Sequence, residues 1–148
     1  MRALALQINK GELMGAWAED AFGNDAACDW AGDFADDPSL EKVEEAIDIV
    51  VISEEYLDSD EACEALVACE ILARLKGNWG DKNAYSGAID KWVETAAIEP
   101  SKELIAKAEK AITRILGEDS ELQELWDEDG ENEKWHIEMN NLLSRLKS

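Results

Sequence analysis

The chain predicts an all-α domain, and three observations carry that prediction. Apolar residues recur at helical spacing in every long segment, and Ser, Asp, Gly and Pro punctuate those segments where helices start and stop. The only alternation of strand type is the short ALALQI at 3–8. The expected architecture is six or seven helices in one domain over 14–148. Residues 1–13 form an N-terminal extension, extended or disordered.

Asn24-Asp25 caps the first helix, which carries Ala27, Trp30, Ala31 and Phe34 inward and stops at Asp36-Asp37-Pro38. Ser39 caps the second, with Val43, Ala46, Ile47 and Val50 on its core face. The β-branched run Ile49-Val50-Val51-Ile52 leaves its last turn open to an extended reading. Asp58-Ser59-Asp60 opens the strongest helix, with Cys63, Leu66, Val67, Ile71 and Leu75 along one apolar stripe and Gly77 placed for a left-handed cap. Residues 78–87 read as a loop around Trp79 and Tyr85. A helix over about 88–97 carries Ile89, Trp92 and Val93, and Glu99-Pro100 stops it. Ser101 starts a helix through Leu104, Ile105, Ala108, Ile112 and Ile115 that closes at Gly117. Leu122, Leu125 and Trp126 mark a short helix from Ser120. Asp129-Gly130 then turns the chain into a last helix bearing Trp135, Met139, Leu142, Leu143 and Leu146.

At 148 residues the chain is long enough to bury about two thirds of its unfolded surface. Its 14 basic and 35 acidic side chains give a formal charge of -21. That charge opposes contact with bare nucleic acid or an anionic membrane and favours encounter with basic proteins. Most of the bases are lysine, a residue that salt-adapted surfaces shed, so the acidity does not read as adaptation to high salt. The three cysteines, Cys28, Cys63 and Cys69, are odd in number and lack CxxC spacing, which points to a reducing cytoplasm. No apolar run approaches the ~20 residues of a bilayer span. The run at 3–8 is also shorter than a signal-peptide core of roughly 7–15 residues.

Asp25, Asp29 and Asp33 lie at i, i+4 and i+8 and so share one face of the first helix, where like charges repel. A cation or a basic side chain would relieve them, and so would plain solvation. Two segments, 54–64 and 118–133, carry acid without any base; the second includes Glu118, Asp119, Glu121, Glu124, Asp127, Glu128 and Asp129. These aspartates and glutamates are the candidate contacts for a basic partner. Residues 127–138 place acids at several calcium-loop positions, but the glycine needed at the sixth position stands at the fourth, as Gly130, so an ordinary Asp-Gly turn is expected. Glu133 and His136 spell half of a di-iron motif that must occur twice, and His136 is the only histidine. No metal site and no cofactor is therefore expected. Neither a phosphate-binding glycine loop nor a GxSxG elbow is present.

Gly15-Ala16-Trp17, Phe22, Asn24-Asp25, Ala27 and Asp29-Trp30 resemble the opening of a bacterial family known as a domain of unknown function. Its members begin Met-Gly-Ala-Trp-Gly followed by Phe-x-Asn-Asp-x-Ala-x-Asp-Trp. The later segment Asp119-Ser120-Glu121-Leu122-Gln123-Glu124-Leu125-Trp126 is similar to that family's Asp-Ser-Glu-Leu-x-x-Leu-Trp. Ala18 stands where the family usually has glycine. The resemblance implies a domain start at Met14 and an all-α fold, and it brings no activity with it. The residues themselves read as scaffold: Trp17 and Phe22 anchor the segment, Asn24 or Asp25 caps the helix, and Trp30 packs inward. Lys10-Gly11-Glu12 can be encoded by a ribosome-binding sequence, so Met14 competes with Met1 as the native start.

Taken together, the residues favour a non-enzymatic cytoplasmic domain that binds a basic protein in the manner of an immunity or inhibitor protein. A nucleic-acid mimic is a variant of that reading. A metal-dependent enzyme built on a carboxylate cluster near Asp25 and Asp29 is the alternative.

Overall fold

The computed structural model describes residues 25–80, 87–130 and 132–148. Among the described residues it contains seven helices and no strand: α1 (Asp25–Asp36), α2 (Leu40–Val51), α3 (Ser59–Leu75), α4 (Gly87–Ala96), α5 (Lys102–Leu116), α6 (Glu121–Asp129) and α7 (Asn132–Lys147). The expected all-α class is what the structure shows. The 1–13 extension, the opening segment with Gly15, Trp17, Phe22 and Asn24, and Tyr85 lie outside the described residues.

α3 is the axis of the fold, and each of the other six helices packs against it. The sequence assigns α3 one apolar stripe, but the structure buries every residue from Ala62 to Arg74 except Glu64. Ala62, Ala65, Ala68 and Ala73 explain the difference, because small side chains let neighbouring helices approach from the flanks as well as the stripe. A helix buried all round behaves as core rather than as an amphipathic surface helix. Phe34, Ile47, Ile112, Ile115 and Trp135 of the neighbouring helices pack in the core with Ile71 and Leu72 of α3, all with almost no exposure.

The helix ends follow local chemistry. Ser39, Asp58, Ser101 and Ser120 cap α2, α3, α5 and α6, each accepting a backbone N–H of the first turn. α3 ends where Gly77 takes a φ of 90°, and the N–H groups of Gly77 and Asn78 return to the carbonyls of Arg74 and Ala73. Helical geometry wins in the Ile49–Ile52 run, since α2 continues to Val51 and Ile52 is its C-cap. α4 runs to Ala96, within a residue of its expected end, and Ala97 follows with a φ of 52°. α5 closes at Gly117 as expected; that glycine stays extended, and Asp119 takes the left-handed conformation, with a φ of 55°.

Aromatic contacts tie the outer helices together. Trp30 stacks on Phe34 at 5.3 Å within α1, and Phe34 meets the edge of Trp92 in α4 at 5.2 Å. Trp126 of α6 stacks on Trp135 of α7 at 6.1 Å. One non-helical contact joins two connections that are distant in the chain. Leu57, just before α3, and Ser120, just before α6, form a single parallel bridge in which Leu57 N donates to Asp119 O and Glu121 N donates to Leu57 O. Leu57 and Ser120 are both buried.

Candidate functional site

The Leu57–Ser120 bridge clips together the two acidic segments that sequence places sixty residues apart. Burying Leu57 anchors one strand of the junction, and capping α6 with Ser120 anchors the other. Arg114, near the end of α5, fastens the junction from beneath. Its guanidinium donates to the carbonyls of Glu55 at 2.7 Å, Glu118 at 2.9 Å and Asp119 at 3.3 Å. Arg114 thus bonds to backbone oxygens, and among the described residues it forms no ion pair with a neighbouring carboxylate.

Glu121 and Glu124 of α6 reach across to the other segment. Glu121 accepts from Ser59 N at 2.9 Å, so with Asp58, which accepts from Asp60 N at 2.7 Å, two carboxylates cap the positive end of α3. Tyr56, exposed beside the bridge, donates its hydroxyl to Glu124 at 2.6 Å. That bond holds the phenol proton, and with desolvation and the charges of Glu124, Glu121 and Glu128 it pushes the Tyr56 pKa up to about 12. Asp60 is raised by burial and by the charges of Asp58 and Glu121. Glu64 is raised by burial and then by Asp60, Glu61, Asp58 and Asp33. The Glu124 hydrogen bond leads at Tyr56 and burial leads at Asp60 and Glu64, and in all three the neighbouring carboxylates add in the same direction. Among the described residues none of Asp58, Asp60, Glu64, Glu118, Asp119, Glu121, Glu124 and Glu128 forms an ion pair.

The candidate residues named from sequence fall into two groups here. Asp119, Glu121, Glu124 and Glu128 join the 54–64 segment on one face, with Glu118 beside them at the Arg114 junction. Asp127 accepts from Gln123 at 3.2 Å along α6, and Asp129 ends that helix. On α1, Asp25, Asp29 and Asp33 are exposed opposite the buried Ala27, Ala31 and Phe34. The charge of Asp33 is felt at Glu64, so the far end of the ladder adjoins the acidic face. Trp30 and Trp126 serve the core through their stacks on Phe34 and Trp135. The segment Asp119 to Trp126 has a clear local logic: Asp119 accepts from Leu57 N, Ser120 caps α6, Glu121 caps α3, and Leu122 and Trp126 are buried.

Sequence reading missed a second charged cluster, which lies inside the protein. Glu70 accepts from Arg74 Nη1 at 3.2 Å and from Arg145 at 3.0 and 2.6 Å, the latter pair a two-pronged contact. Arg74 Nε stands 2.9 Å from Asp90 Oδ1 in a charge contact without aligned hydrogen-bond geometry, and its guanidinium carbon lies 5.3 Å from the Trp79 ring centre. Asn78 donates to the Arg145 carbonyl at 2.8 Å. Gly80 lies so close to the Arg145 guanidinium that a Cβ there would come within 2.9 Å of it. The quartet joins α3, α4 and α7 to the residues that follow α3. One signal was available: Glu70 and Arg74, four apart, are the only charges in the otherwise apolar run 65–75.

The remaining chemistry is sparse. Among the described residues no three His, Cys, Asp or Glu side chains converge as a metal ion would require. Residues 127–129 belong to α6, Gly130 turns the chain with a φ of 78°, and α7 begins at Asn132. His136 shares a 3.0 Å hydrogen bond with Gln123 and stands edge-on to Trp135. Burial pushes the Cys69 thiol up, and its Sγ donates to Ala108 O, as expected of an inert core cysteine. No helix among the described residues is long and apolar enough to cross a membrane.

Residues 15–138 match the model of a protein family described as a domain of unknown function (DUF4259), and the chain belongs to that family. No curated protein and no solved structure matches the chain.

Proposed function

We propose that this domain binds a basic protein partner through the face formed by the 54–64 segment and α6, as an immunity or inhibitor protein would. One observation carries the reading: the Leu57–Ser120 bridge assembles two acidic segments into a single face, while the adjacent Arg114 spends its guanidinium on backbone carbonyls. Charge gathered on a rigid junction steers encounter with a cationic surface and needs no reordering on contact. Tyr56 supports it further, because an exposed aromatic among carboxylates offers the apolar contact area that interface centres use. Asp33 and the ladder above it extend the face along α1.

The test is capture of partners at low ionic strength by the protein and by its Glu121→Gln/Glu124→Gln/Glu128→Gln variant. A basic protein held by the parent, released by added salt and lost by the variant is the expected result. Recovery of no basic protein, or equal recovery by both, overturns the proposal. Displacement of DNA from a captured DNA-binding protein identifies the mimic variant of the same reading.

A further inference from the structure

Among the described residues four large apolar side chains are exposed, Ile49 (43%), Ile52 (72%), Tyr56 (53%) and Ile137 (61%), and three of them fall within residues 49–56. A single exposed isoleucine is ordinary, whereas several together mark an interaction surface. Ile47, Ile71, Ile89, Ile112 and Ile115, by contrast, are at most 1% exposed, so the fold buries isoleucine readily elsewhere. Helical geometry continues to Ile52, whose N–H donates to the Asp48 carbonyl, so Ile49 and Ile52 sit one turn apart on the same side of the end of α2. The chain then turns, with Ser53 Oγ donating to the Glu55 carbonyl, and Tyr56 is tied to α6 by its bond to Glu124. Four residues span at most ~14 Å even when extended, so the backbone of Tyr56 lies within that distance of Ile52.

The chain around these three side chains is acidic without interruption. From 43 to 73 it holds ten acidic residues and no lysine, arginine or histidine. Glu45 stands one turn before Ile49 on α2, Glu54 and Glu55 lie between Ile52 and Tyr56, and the charges of Glu124 and Glu121 act on Tyr56 from α6. Among the described residues none of Glu45, Glu54, Glu55, Glu121 and Glu124 forms an ion pair. Two bases of α5 contact this part of the chain, and both are engaged: Lys107 with Glu44 and Asp48, and Arg114 with backbone carbonyls that include that of Glu55.

We propose that residues 49–56 form the centre of the partner-binding face and receive a basic amphipathic helix, its apolar stripe on Ile49, Ile52 and Tyr56 and its lysines and arginines toward Glu45, Glu54, Glu55 and Glu124. This rests on the reading that the domain binds a basic protein, and it names the element of that protein that is recognised. A helix of about 14 residues is about 21 Å long, enough to cover all three apolar side chains in one pass. Carboxylates alone would take any cation and give an association that salt dissolves. Apolar anchors supply affinity that salt does not screen, and they select cations carried beside an apolar stripe. A second copy of this chain is a poor occupant, because each molecule would bring a charge of -21.

The experiment is fluorescence anisotropy of two labelled peptides at about 0.15 M salt. One is built of leucine and lysine in a helical pattern and is about 14 residues long; the other is an oligolysine of the same charge. The leucine–lysine peptide is expected to bind at least tenfold more tightly. Ile49→Gln/Ile52→Gln, altered only at exposed positions, is expected to lose that advantage while keeping its affinity for oligolysine and its melting temperature. Ile52→Gln alone is expected to lose at least threefold. Equal binding of the two peptides by the parent, or an undiminished advantage in a folded variant, overturns the proposal and leaves the acidic-face reading standing. Binding of neither peptide overturns both. Self-association of the parent without peptide, abolished in the variant, assigns these side chains to a second copy and overturns the proposal as well.

Discussion

At the start of α3, Asp58, Asp60 and Glu64 stand beside Glu121 and within reach of Asp33, and no base pairs with any of them among the described residues. In the second half of the same helix, Glu70 is gripped by Arg74 and Arg145, and Asp90 faces Arg74. The first group is largely exposed, the second buried. Water decides the contrast. An exposed carboxylate keeps its hydration and tolerates like-charged neighbours at a small cost, while a buried one is costly unless a cation and hydrogen bonds replace the water it lost. Acid can therefore accumulate at one end of the helix, and must be matched at the other for the molecule to hold.

The strongest way to break this comparison is to unmatch the buried cluster. Arg145→Met leaves Glu70 with Arg74 alone and is expected to destabilise the fold by about 3–5 kcal/mol, read as a lower urea midpoint. Glu70→Leu together with Arg145→Leu removes both charges and is expected to recover most of that loss. A loss below about 1 kcal/mol for Arg145→Met would show that the cluster is as solvated as the acidic face, and the contrast would fail.

The next test concerns proton affinity at the acidic end. The Tyr56 phenol is raised from 10.0 to about 12, chiefly by its bond to Glu124, so its protonated form is favoured in the folded protein. The stabilisation is therefore complete below about pH 10 and fades as pH rises toward about 12. In an ultraviolet titration of tyrosinate, Glu124→Gln is expected to return Tyr56 toward its ordinary value. An unchanged titration would mean that Glu124 does not hold the phenol.

The smallest expected effect has the opposite sign. Glu64 lies four residues after Asp60 on α3, and its pKa is raised by burial and by neighbouring acids. A raised carboxylate is held best when protonated, so its contribution is lost as pH rises through the carboxylate range, and the ionised form is mildly destabilising at neutral pH. Glu64→Gln is expected to stabilise the protein by about 0.2–0.5 kcal/mol at pH 7, the scale of a like-charge pair at i, i+4, with no gain at pH 3. Destabilisation at pH 7 would point to an unrecognised cation at Glu64.

Much of the fold was legible because it is locally encoded. Ser39, Ser101, Ser120 and Gly77 mark helix ends through bonds no more than a few residues long, and each does so in the structure. α3 was misread as one-sided because burial on its flanks depends on which helices pack there. Of the acidic face, the two runs were visible but their union was not, since the Leu57–Ser120 bridge joins positions far apart in the chain. Arg145 gave no local sign of its role, as its partners Glu70 and Asn78 sit on other elements.

By itself the sequence determined the helical class, most helix ends, the deficit of positive charge and the segments that carry acid, because periodicity, capping and composition act over a few residues. Tertiary structure alone decided which carboxylates crowd and which are matched. It turned Glu121 into a cap for a helix sixty residues earlier and committed Arg114 to backbone carbonyls. Burial and electrostatic pairing depend on distance through space, and distance through space is fixed only when the helices pack.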